Sequence, residues 1–205
     1  MGFTVELVGD WRERAASGRR VSSLMKVRIR SFLIREAEEM RRLVGHAFVS
    51  QGAPGKWPKL SPWTIAGRRL NRFGGTKALI WSGEMRKSIS TSWDEGSQSA
   101  FCGIMYQKKG MNGQSMVNIA KIHEYGSKRF AIRITPRMRK YLAVLARYLP
   151  RGARMTKRDR KRHIVTGIIV IKIPPRPFMR NQLPVFRLNA ERRARAWFAG
   201  FMLGV

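Results

Sequence analysis

Negative charge is scarce in this sequence. Only 12 of its 205 residues are Asp or Glu against 42 Lys and Arg, which leaves a formal net charge of +30 at pH 7. Such a field is far from the near balance of ordinary enzymes. It resists self-association unless an anionic partner or a tightly packed assembly compensates it, and it points to nucleic acid or acidic protein surfaces as partners. Cysteine is nearly missing as well. Cys102 stands alone, which excludes an internal disulfide, argues against a Cys-based zinc site and fits a reducing, intracellular origin. Long apolar runs are missing too, so no membrane span is expected. Met1–Leu7 alternates Phe3, Val5 and Leu7 around Glu6, the pattern of a strand rather than of a signal peptide. Position six holds no Ser or Thr, which weakens a myristoylation reading of Met1-Gly2.

What is present describes a folded chain. The hydrophobic fraction is 43% over 205 residues, enough for one domain with a respectable core or one domain with a large insertion. The expectation is a single domain over 1–205, with a helix plus basic insertion at about 135–163 and a C-terminal helix at about 188–203. No repeat at solenoid or propeller spacing is visible.

From Val21 to Val49 the apolar positions, among them Leu24, Met25, Phe32, Leu33, Met40, Val44 and Phe48, recur at three- and four-residue spacing, which predicts a long amphipathic helix ended by Gly52 and Pro54. Ser61-Pro62 and Thr135-Pro136 each offer an N-cap followed by proline at the first helical position. They predict helices to about Leu70 and about Leu149. Ser82 is placed to cap a short helical turn. Trp57 and Trp63 are expected to cover the edge of the core. Ile89, Thr91 and Trp93 alternate, and after the polar turn Asp94–Gln98 the run Ala100–Met105 returns, a β-hairpin. Lys108–Ser115 reads as a loop, and Val117–Tyr125 as a short helix ending at Gly126, a residue suited to a left-handed C-cap. Phe130, Ile132 and Ile134 alternate as another strand. The strands come as antiparallel pairs without a βαβ rhythm. The expected class is α+β, an antiparallel β-sheet or partly closed barrel with a long N-terminal helix, an inserted helix and a C-terminal helix.

The centre of this reading is Ile164–Phe178, Ile-Val-Thr-Gly-Ile-Ile-Val-Ile-Lys-Ile-Pro-Pro-Arg-Pro-Phe. Its β-branched run predicts a strand buried on both faces. Pro174, Pro175 and Pro177 then stop the strand and stiffen the chain, so Arg176 and Phe178 are expected on a rigid, extended rim. Just before it, Arg151–His163 carries Arg151, Arg154, Lys157, Arg158, Arg160, Lys161 and Arg162 against Asp159 alone. A block of like charge repels itself and orders on an anionic partner, so these residues are candidate polyanion contacts.

Signals for catalysis are weak. Gly74-Gly75-Thr76-Lys77 lacks the preceding strand and the glycine-to-lysine spacing of a phosphate loop. His123-Glu124 is the one adjacent pair of His and carboxylate, but no metal set or nucleophile elbow accompanies it. The plainer reading has Glu124 tying down loop backbone or an arginine while His123 packs at the helix end. No catalytic, cofactor-binding or metal-ligating residue is assigned.

Four stretches in order resemble a known family: Trp57-Pro-Lys-Leu-Ser-Pro-Trp-Thr, Leu79-Ile-Trp-Ser-Gly-Glu-Met-Arg-Lys-Ser-Ile89, Ile122-His-Glu-Tyr-Gly126 and Ile173-Pro-Pro-Arg-Pro-Phe178. Together, behind a long helix, they are similar to the signature of the tailed-phage virion morphogenesis family, the tail-completion or neck proteins. The resemblance implies a compact β-sheet or barrel-like body with a packed helix. It implies a structural, non-enzymatic subunit of a homo-oligomeric ring, six subunits or alternatively twelve, at the head-proximal end of the tail. Its implied partners are head connector or adaptor proteins, tail terminator or tail-tube proteins, and genomic double-stranded DNA in the channel, without a membrane. The implied location is the virion, with the host cytoplasm during assembly. Thr135–His163 departs from the shorter members. On this reading Trp57, Trp81, Glu84, Arg86, Glu124, Tyr125, Arg176 and Phe178 are candidate assembly contacts. The rival reading is a basic nucleic-acid-binding protein that uses residues 151–163 as an electrostatic arm and exposed aromatic rings as stacking platforms.

Overall fold

A computed structural model describes residues 11–73, 75–80, 82–105, 108–110, 113–150, 153 and 167–202, with no side-chain detail for 11–22, 201 and 202. Helix α1 (Trp11–Ser50) is 40 residues long, ten residues longer at its start than its apolar spacing predicts. Trp11–Arg20 has no proline and good helix formers, so it continues the helix without an apolar stripe. The C-terminal half of α1 faces the main core: Val44, Ala47 and Phe48 are fully buried and Met40 nearly so. Its outer face is laced with three-residue pairs, Arg41 to Glu38 at 2.8 Å and Arg42 to Glu39 at 2.6 and 2.7 Å.

Local signals are borne out where they are local. Helix α2 (Pro62–Leu70) starts at Ser61, whose hydroxyl accepts from the Thr64 N–H at 3.2 Å. Helix α5 (Pro136–Leu145), continued by a 3₁₀ turn at Ala146–Tyr148, starts at Thr135, whose hydroxyl accepts from the Met138 N–H at 3.2 Å. Leu145 and Leu149 close a small second core with Ala66, backed by Trp63, Leu70 and Leu142. Helix α3 (Glu84–Ser88) is capped differently from expectation. Gly83 at φ +72° occupies the cap, and Ser82 receives only a long contact, 3.4 Å, from the Glu84 N–H.

Strands β1 (Ile89–Asp94) and β2 (Ser99–Ile104) form the expected hairpin, Ile89 opposite Ile104 and Asp94 opposite Ser99. The Asp94 carboxylate accepts from the N–H groups of Gly96 and Ser97 and so closes the turn. The hairpin lies along α1. The Thr91 hydroxyl donates to Glu38, and the Arg30 guanidinium stands over the Trp93 ring. Helix α4 (Met116–Tyr125) ends at Gly126, but the glycine is at φ +80°, ψ 177°, extended in ψ and so not a left-handed cap.

Two expectations about strands are corrected. Among the described residues the strands pair only in twos, β1 with β2 and β3 (Phe130–Arg133) with β4 (Ile168–Ile171), so they form two separate antiparallel ribbons and no barrel. The second ribbon is also not buried on both faces, for Ile168 is 48% and Val170 63% exposed. A β-branched run specifies extended backbone, whereas burial requires something to pack on, and only the face of β4 that carries Ile169 and Ile171 is even partly covered. Residues 164–166 and the strand expected at Phe3–Leu7 lie outside the described residues. Helix α6 (Leu183–Met202) begins five residues before its expected start, after a 3₁₀ turn at Arg180–Gln182. It runs antiparallel to α1, held by Arg193 on Glu36 through bonds of 2.7 and 2.6 Å and by Trp197 on Phe32 at 5.3 Å. The class is α+β in general terms.

Candidate functional site

The proline-rich segment after β4 is clamped between the end of α4 and the loop that follows α1. Its entry is fixed by two bonds between Ser127 and Ile173: the Ser127 N–H donates to the Ile173 carbonyl and the Ile173 N–H to the Ser127 hydroxyl, both at 2.9 Å. Glycine is required beside them. A Cβ at Gly126 would sit 3.0 Å from Pro175 Cδ and 3.1 Å from the Ile173 carbonyl, at a positive φ that side chains disfavour.

Arg176 and Phe178 are therefore not on a rim. They are 5% and 1% exposed. The Phe178 ring lies 5.3 Å from Phe48, which meets Trp57 edge-on at 5.6 Å. Prolines make this segment stiff, and here stiffness lets it insert into the core instead of projecting from it. The Trp57 indole N–H donates to the Pro177 carbonyl at 3.0 Å. Trp57 is itself buried in the core instead of covering its edge, pressed so closely on Gly52 that a Cβ there would come within 2.5 Å of the indole.

The Arg176 guanidinium is bound by carbonyls, Nε to Pro58 at 3.2 Å and Nη2 to Lys59 at a long 3.5 Å, while its backbone N–H donates to His123 at 2.6 Å. Burial, and secondarily the nearby Arg68, lower its pKa. Arg68 repeats the device, donating to the carbonyls of Gly75 and Lys77, with its own pKa lowered by burial. Carbonyl dipoles thus replace water around two cations that would otherwise be costly to bury.

Glu124 locks the far end. One carboxylate oxygen accepts from the N–H groups of Phe178 (2.9 Å) and Met179 (3.2 Å), the other from Arg180 (2.7 Å). These donors open the 3₁₀ turn that leads into α6, so a side chain 54 positions upstream performs the work of an N-cap. Charge-assisted bonds of this type contribute about 1.5–3 kcal/mol each before losses elsewhere. Glu124 ties down loop backbone, as its sequence context suggests, and that commitment takes it away from His123. Burial, then Arg176, holds the His123 imidazole below its ordinary pKa, and its Nδ1 has no hydrogen-bond partner among the described residues. Among the described residues no group of three His, Cys, Asp or Glu side chains is placed to hold a metal ion.

The other candidates scatter. Tyr125 is 68% exposed, with the Arg180 guanidinium over its ring. Glu84 is half-buried, and Arg86 is exposed on a shallow groove beside α1 that also receives Arg35, Glu38, Arg41 and Arg42. Trp81 and the basic residues Arg151, Arg154, Lys157, Arg158, Arg160, Lys161 and Arg162 lie outside the described residues. Cys102 is half-buried, its thiol pushed up to about 11 by burial and by Glu38, so it is a poor nucleophile. No family model, curated protein or solved structure matches this chain.

Sequence reasoning missed several residues of the joint. Gln51 brackets Ala78, donating to its carbonyl at 3.2 Å and accepting from its N–H. Gln182, 3% exposed, donates to the Ala53 carbonyl. Glu36 anchors α6 through Arg193. None of them stood out in the sequence: Glu36 is one of several charged residues along α1, and the Arg193 that pairs with it lies 157 positions away.

Proposed function

We propose that this chain is a structural virion protein of a tailed phage, a subunit of the neck ring at the head-proximal end of the tail that completes the tail and joins it to the head. The observation that carries the reading is where the four resembling stretches lie. Trp57 and Pro58, the run containing Leu79, Ile80, Met85 and Ile89, the end of α4 at His123–Gly126 and the Ile173–Phe178 segment all meet around Phe48 and Phe178. Four motifs far apart in sequence that converge on one joint behave as the signature of a fold.

The resemblance further implies a ring of six or twelve copies, contacts with connector or adaptor proteins on one side and with terminator or tail-tube proteins on the other, and DNA passing through. Trp57, Glu124, Arg176 and Phe178, consumed by the joint, are withdrawn as assembly contacts; Arg86 and Tyr125 remain available. Interrupting the gene in its phage is expected to give full heads and free tails that fail to join, counted by electron microscopy. Normal particles would end the proposal.

The +30 charge favours a second reading, binding to nucleic acid. Neutralising about six phosphates would lower DNA affinity by roughly 10³ over a fourfold rise in salt. Rings that persist in high salt favour the neck reading, whereas a monomer whose DNA binding collapses with salt favours the second.

A further inference from the structure

The β3–β4 ribbon is a small sheet without the strand that would finish it. Among the described residues both of its outer edges lack a backbone partner, and two-stranded ribbons are marginal alone. Its register divides the side chains cleanly. Phe130, Ile132, Ile169 and Ile171 share one face, wholly apolar, with Phe130 43% exposed. Ala131, Arg133, Ile168 and Val170 share the other, and the same alternation adds Arg129 and Lys172, all of them exposed. One face is greasy and the other is apolar with a basic border.

One stretch of the chain has the complementary pattern. Residues 1–10 hold no Lys or Arg, the first being Arg12, yet they hold two of the 12 acidic residues, Glu6 and Asp10. In extended form Phe3, Val5 and Leu7 fall on one side and Thr4, Glu6 and Val8 on the other. Laid against the ribbon, the first set extends the apolar face and the second brings Glu6 to the basic one.

We propose that residues 1–10 of one copy of this chain add as a strand to an edge of the β3–β4 ribbon of a second copy. At about 1.5 Å per residue, Trp11 stands roughly 55 Å along α1 from Phe48, so the segment starts at the opposite end of α1 from the joint that tethers its own ribbon. Strand addition of this kind draws affinity from main-chain hydrogen bonds and register from alternate side chains. It also reconciles assembly with a charge of +30, because each contact joins the acidic end of one chain to a basic ribbon of the next. This deepens the ring reading and rests on its claim of self-assembly.

The test uses the full chain in a Cys102→Ser background. Thr4→Cys in one tagged copy is mixed with Val170→Cys or Ala131→Cys in a differently tagged copy, one for each edge, and treated with a short bismaleimide. Mixed-tag covalent dimers are expected. Val5→Asp is expected to weaken self-association by about tenfold or more, since a charge on the apolar face of a strand opposes pairing, while its thermal unfolding matches the parent chain. Assembly by Val5→Asp equal to the parent, or cross-links confined to single chains, overturns the strand exchange and leaves the ring reading standing. A parent chain that stays monomeric at every concentration overturns both.

Discussion

Two antiparallel ribbons of similar size sit in this molecule in opposite circumstances. β1–β2 lies on α1, with Ile89 buried, Ile104 packed against the core and Thr91 bonded to Glu38. β3–β4 is tethered at Ser127 and Ile173 and otherwise shows Ile168 and Val170 to its surroundings. The second has the more β-branched sequence and the less buried structure. Strand propensity and strand burial are thus separate properties, the first held in a few consecutive residues and the second granted by whatever lies alongside.

The comparison can be broken from its strongest end. Phe178→Ala removes the ring on which the core around Phe48 closes, and a loss of about 3–5 kcal/mol in urea unfolding is expected, with β1–β2 loosened along with the joint. Glu124→Gln keeps the shape but turns an NH₂ toward one set of backbone donors, so a loss of about 1–3 kcal/mol is expected by the same measurement. Thr91→Val severs the first ribbon from Glu38 and should cost about 0.5–1.5 kcal/mol. His123 sharpens the picture through pH. Its folded pKa is lowered by burial and by Arg176, so the unfolded chain takes up a proton first. Stability is whole above the unfolded value near about 6.5 and falls as pH drops below it. The melting temperature should decline between about pH 7.5 and 5.5, and less so in His123→Asn. Smallest of all, Val170→Thr on the second ribbon should alter monomer stability by no more than about 0.5 kcal/mol. A cost like that of Thr91→Val would mean that β3–β4 has a packing partner within its own chain.

What was legible in the sequence was whatever a few neighbouring residues decide. Ser61-Pro62 and Thr135-Pro136 announced helix starts because a hydroxyl and a fixed φ act within one turn, and the β1–β2 hairpin was visible in its alternation. The burial of Arg176 was not legible, since the carbonyls of Pro58 and Lys59 that receive it lie well over a hundred positions away. The same holds for Phe178, whose pocket is built by Phe48. The barrel failed for a related reason, as alternation marks strands without saying which of them meet. The role of Glu124 was half visible: a carboxylate at a helix end suggested a tie, but not that its three donors would come from residues 178–180.

The Glu124 tie bears on how the chain is made. A ribosome delivers Phe48 and Trp57 early and Phe178 only after most of the protein has emerged. Until then the face of Phe48 that Phe178 will cover stays open, and α6 has no carboxylate-bound start from which to run back along α1. A chain truncated before residue 180 therefore lacks its closing piece and leaves the rings of Phe48 and Trp57 without the cover that Phe178 gives the core.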